Sequence, residues 1–79
     1  MNALANDWTF NTKWGAFEIA QRGARYHVRF DGELLGSYVS PEEALKVLIG
    51  GRTAWPSNGL DPSTVGFPDK LSQWTPRPA

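Results

Sequence analysis

The stretch AFEIAQRGARYHVRFDGELLGSYVS, residues 16–40, decides the fold. Phe17 and Ile19 alternate with Ala16, Glu18 and Ala20, and Tyr26, Val28 and Phe30 alternate with Arg25, His27 and Arg29. A period of two is the mark of a strand with one face buried. Arg22-Gly23 and Asp31-Gly32 punctuate the runs, and Asp-Gly suits a two-residue hairpin because both its residues accept positive φ. Pairing across Arg22-Gly23 sets Ile19 opposite Tyr26 and Phe17 opposite Val28. Pairing across Asp31-Gly32 sets Val28 opposite Leu35 and Arg25 opposite Tyr38. It also leaves Leu34 among the arginines, which a bulge in the third strand would accommodate. The expectation is a three-stranded antiparallel meander.

Just beyond lies SPEEALKVLIGG, residues 40–51. Ser40 is a good N-cap, Pro41 suits the first helical position, and Glu43 completes a capping box. Ala44, Leu45, Leu48 and Ile49 recur at helical spacing, and Gly50-Gly51 stops the helix. The stripe is expected to pack on Phe17, Ile19, Tyr26 and Val28, the one matching apolar surface.

Farther out the signals fade. Residues 1–14 read as an arm, polar and irregular except for Trp8, Phe10 and Trp14, with Trp8 and Phe10 expected to pin it to the core. On the other side runs WPSNGLDPSTVGFPDKLSQW, residues 55–74, with a tryptophan at each end and three prolines. It is either the missing wall of a small core or a tryptophan-bearing recognition segment. Ordering some twenty loop residues costs roughly 1–2 kcal/mol of backbone entropy each, so an ordered tail must bury most of its large side chains. Proline lowers that cost by restricting the unfolded chain, which favours the packed alternative. The fold class expected is therefore α+β: a three-stranded antiparallel sheet packed on one helix (β-β-β-α), with a long irregular C-terminal wrap. The whole chain, 1–79, is read as one domain, with an arm at 1–14, a core at 15–51 and a wrap at 52–79.

Eight basic residues balance eight acidic ones, which argues against a polyanion binder driven by excess positive charge. The chain has no cysteine, which excludes disulfides and thiolate metal sites. No run approaches the ~20 apolar residues of a membrane helix. A soluble cytoplasmic protein of a bacterium or phage, without membrane association, is the expectation.

Catalytic chemistry finds little footing. His27 is the one histidine, and although Glu18 could sit near it across the strands, no serine is placed to complete a nucleophilic set. Scattered carboxylates and one histidine give no metal-ligand spacing, and no glycine-rich loop joins a strand to a helix. The reading is a non-enzyme with no metal and no cofactor. The candidate surface is the polar face of the sheet: Arg25, His27 and Arg29 along one strand, Tyr38 beside them, Arg22 and Glu18 at the margin. Such a face fits a protein partner, or, as the alternative, a nucleic acid contacted by arginines interleaved with aromatics. Its bland counterpart is a polar cover for the sheet.

Two likenesses bear on this. YHVRFDGELLGSYVSPEEAL, Tyr26 to Leu45, resembles the second hairpin and helix start of AP2-type and phage-integrase arm-binding domains, three-stranded sheets on one helix whose sheet face reads DNA. The resemblance implies Arg25, His27 and Arg29 as reading residues, while AFEIAQ offers Glu18 where such domains use basic residues. STVGFPDKLSQW, Ser63 to Trp74, is similar to the endings of short uncharacterised bacterial proteins, a likeness that implies no activity.

Overall fold

The computed structural model describes residues 7–77. Positions 1–6 of the expected arm and 78–79 of the expected wrap lie outside the described residues. The chain forms β1 (Asp7–Thr12), β2 (Gly15–Arg22), β3 (Arg25–Phe30), β4 (Glu33–Tyr38), α1 (Pro41–Ile49) and β5 (Thr75–Arg77), with 3-10 turns at Pro62–Thr64 and Leu71–Gln73. The sheet order is β4-β3-β2-β1-β5, and every pairing is antiparallel. The α+β class holds, but the sheet has five strands, not three.

The two added strands come from the ends of the chain. Within the expected arm, Trp8 and Phe10 pair opposite Ile19 and Phe17, which sets them on the apolar side of the sheet. A two-residue turn at Lys13-Trp14 makes this possible. The Thr12 hydroxyl secures it, donating to the Gly15 carbonyl at 2.8 Å and accepting from the Gly15 and Trp14 amides. The wrap is not irregular to its end, since Thr75–Arg77 pairs with Asp7–Thr9 of β1.

The first hairpin is offset from the expected pairing. The strand pairs close at Arg22 and Arg25, so the turn is Gly23-Ala24 and Ile19 faces Val28 while Phe17 faces Phe30. Gly23, at φ 63°, takes the first turn position, which an arginine would fill only under strain. The offset is two residues, and because side chains alternate with a period of two, both faces keep their residues. In the second hairpin Asp31 and Gly32 both have positive φ, 48° and 88°. Asp31 also ties this hairpin to β2: its Oδ1 accepts from the Ala16 amide at 2.8 Å, and its own amide donates to the Ala16 carbonyl.

A bulge between Val28 and Arg29 then changes the partners. Val28 faces Gly36, His27 faces Ser37, and Tyr38 faces Tyr26 instead of Arg25. Tyr38 is thereby carried to the apolar side, where its ring occupies the space a Cβ at Gly36 would need.

The Ser40 hydroxyl accepts from the Glu43 amide at 3.1 Å, and Pro41, Glu42 and Glu43 make a favourable first turn. Ala44, Leu45 and Leu48 are buried against β2, β3 and β4. The tail covers what the helix does not reach. It starts along the sheet's edge strand, where the Ala54 amide donates to the Leu35 carbonyl and the Ser57 amide to Glu33. It then lays Phe67 edge-on against Phe17 at 4.7 Å between centroids, and packs Trp74 on Phe10 and Phe67. The Trp74 indole donates to the Pro68 carbonyl, so burial leaves its one polar atom satisfied. Helix and tail thus share one face of the sheet, and the core lies between that layer and the sheet.

Candidate binding face

The other face is built from cross-strand rows, because residues opposite one another share a side. One row runs Thr75, Thr9, Glu18, Arg29 and Leu34 across all five strands. The next runs Asp7, Ala20, His27 and Ser37, and Arg22 stands opposite Arg25 at the hairpin tip. Of the expected site residues, Arg22, Arg25, His27, Arg29 and Glu18 share this face. Tyr38 does not: it lies on the core side, where partial burial and then the Glu43 carboxylate raise its hydroxyl above the ordinary tyrosine range.

The two arginines at the tip turn away from each other, which relieves their like charge. Arg25 donates from Nε to the Ser37 hydroxyl at 2.7 Å and from Nη2 to the Ser37 carbonyl at 2.8 Å. Arg22 instead reaches Asp7 at 3.5 Å while donating to the Gln21 carbonyl. Asp7 is nearly buried and its Oδ1 also accepts from the Gln21 amide. The Arg22–Asp7 pair is partly solvated, so its contribution is about 0–1 kcal/mol.

The centre of the face differs from the tip. Glu18 and Arg29 stand directly opposite each other, a pairing that strands ordinarily use as an ion pair. Here they do not join: among the described residues the ion pair that forms is Arg22–Asp7. Arg29 makes one long bond from Nη1 to the Gly32 carbonyl at 3.4 Å. Its Nε and the Nδ1 of His27 are shielded from solvent and have no hydrogen-bond partner among the described residues. Leu34, next to Arg29, is 51% exposed. The centre therefore offers a carboxylate, a guanidinium and an isobutyl group, none of them engaged by a strong contact.

Sequence reasoning missed Ser37, Thr9 and Asp7. Ser37 becomes Arg25's anchor only through the bulge, for which the signal was Leu34 falling on the polar side. Thr9 and Asp7 join the face because β1, expected as part of an arm, pairs with β2.

Other surface features lie elsewhere. Trp14, with the Lys13 ammonium over its ring, is at the β1–β2 tip, and Trp55 donates to the Gly51 carbonyl beyond the end of α1. A groove of about 640 Å³ runs between α1 and Asp69–Ser72, floored by Leu45, Ile49 and Leu71. None of the expected site residues lines it. Among the described residues no cluster of three or more histidine, aspartate or glutamate side chains could hold a metal ion, and no helix is long and apolar enough to cross a membrane. No family model, curated protein or solved structure matches the chain.

Proposed function

We propose that the chain is a non-catalytic binding module that presents its open sheet face to a protein partner. The observation that supports this reading is the unjoined Glu18–Arg29 pair beside exposed Leu34. A surface with both charge signs and an apolar spot complements another protein surface, on which the same groups recur in the opposite arrangement. Nucleic acid is the weaker reading. A phosphate backbone repels Glu18 in the middle of the face, and Arg22 and Arg25 are already committed to Asp7 and Ser37. Only Arg29 would be left to release a counterion without breaking a close contact, and binding built on phosphate contacts needs several.

Two measurements separate the readings. Labelled single- and double-stranded oligonucleotides titrated at low salt should show no binding that falls steeply as salt rises. Affinity capture from a cell extract should retain a protein with the wild type and lose it with Arg29→Ala and with Glu18→Ala. Steep, salt-dependent oligonucleotide binding that Arg29→Ala abolishes would replace the protein reading with the nucleic-acid one.

A further inference from the structure

The geometry points to a second copy of this chain as the occupant of the open face, an inference that rests on the protein-partner reading above. In a two-fold assembly each residue meets its counterpart's neighbour reciprocally, so a face must complement itself. This one does about a single axis, running parallel to the strands midway between β2 and β3. Rotation about that axis lays the second copy's β2 over β3, and its β1 over β4. Glu18 of each copy then stands over Arg29 of the other, because the two occupy the same level of adjacent strands. Thr9 meets Leu34 in the same row. In the next row His27 comes over Ala20, which its own neighbours already cover.

The hairpin tips test the arrangement, since Arg22 comes over the other copy's Arg25. Asp7 accompanies Arg22, and the same rotation carries it over Ser37, where the Arg25 guanidinium is anchored. A cation pair thus arrives with its counter-charge. The chain's zero net charge also removes long-range repulsion between copies.

Size sets the strength. Four strands at a spacing of ~4.8 Å, each about six residues long at ~3.3 Å per residue, give a patch of roughly 400 Å² per copy. Twice that is below the ~1,200 Å² at which stable interfaces begin, which places the dimer in the weak, transient class.

Sedimentation equilibrium across about 10 µM to 1 mM, at low salt, tests this on the intact chain. The wild type should pass from monomer to dimer, Glu18→Arg and Arg29→Glu should each weaken the dimer at least ~10-fold, and an equimolar mixture of the two variants should regain it. If a charge-reversed chain does not fold, wild-type amide spectra supply the answer: dilution should shift the signals of Glu18, Ala20, His27 and Arg29 and leave those of α1 in place. A wild type that stays monomeric throughout, or a dimer that both reversals leave intact, overturns the inference. A monomer that still captures a foreign protein through Arg29 leaves the protein-partner reading standing, so the two failures are distinguishable.

Discussion

A chain ending at Gly51 is expected to lose cooperative folding. It would keep α1 and the four-stranded meander but lose the second half of the layer that covers the sheet. Phe67 and Trp74 pack on Phe17 and Phe10, and Leu60, Val65 and Leu71 lie half-buried against the same core. Each large apolar side chain contributes roughly 1.5–3 kcal/mol when fully buried. The partly buried ones contribute less, but removing all five at once strips the apolar rings of Phe10 and Phe17 of their cover. The loss of β5 would also leave β1 as a bare edge open to aggregation. Urea unfolding followed by near-ultraviolet circular dichroism should show no sharp transition. A truncated chain that melts cooperatively near the wild-type temperature would mean the tail only decorates a finished core.

The two tail tryptophans should behave oppositely when truncated singly. Trp74 is 2% exposed, stacked on Phe67 and hydrogen-bonded through its indole, so Trp74→Ala opens a large cavity and should cost about 3–5 kcal/mol. In a domain this small each kcal/mol lowers Tm by roughly 4–8 °C, so this variant should be largely unfolded near body temperature. Trp55 is 49% exposed and is held by one bond to the Gly51 carbonyl, so Trp55→Ala should cost no more than about 1 kcal/mol. Thermal melts of the two variants decide the point, and equal losses would refute the assignment of Trp74 to the core.

The sequence carried the centre of this fold more clearly than its edges. Alternation at Phe17, Ile19, Val28 and Phe30 marks the buried face, and the Ser40-Pro41 cap marks the helix start, because these signals depend on a residue's own neighbours. The pairing of Trp8 with Ile19 depends on residues eleven apart, and in a six-residue strand the alternation is too brief to stand out from an arm. Thr75–Arg77 is shorter still and contains a proline, so nothing local announces it. It becomes a strand because β1 offers an edge. Tyr38 shows the sensitivity of site reading to register: one bulge residue moved it from the arginine face to the core. Arg25, His27 and Arg29 kept their common face because they lie along one strand, where no register shift can separate them.

An arginine face displayed for a partner would be marginal to stability, and the urea midpoint of the Arg25→Ala, Arg29→Ala double variant tests that proposed role most directly. The exposed bonds that Arg25 makes to Ser37 and the long bond of Arg29 to Gly32 are the contacts that disappear. Together they should amount to about 1–2 kcal/mol, with the steepness of the transition unchanged. A loss on the scale expected for Trp74→Ala would contradict the account, showing that the arginines hold the fold together and are not there for a partner.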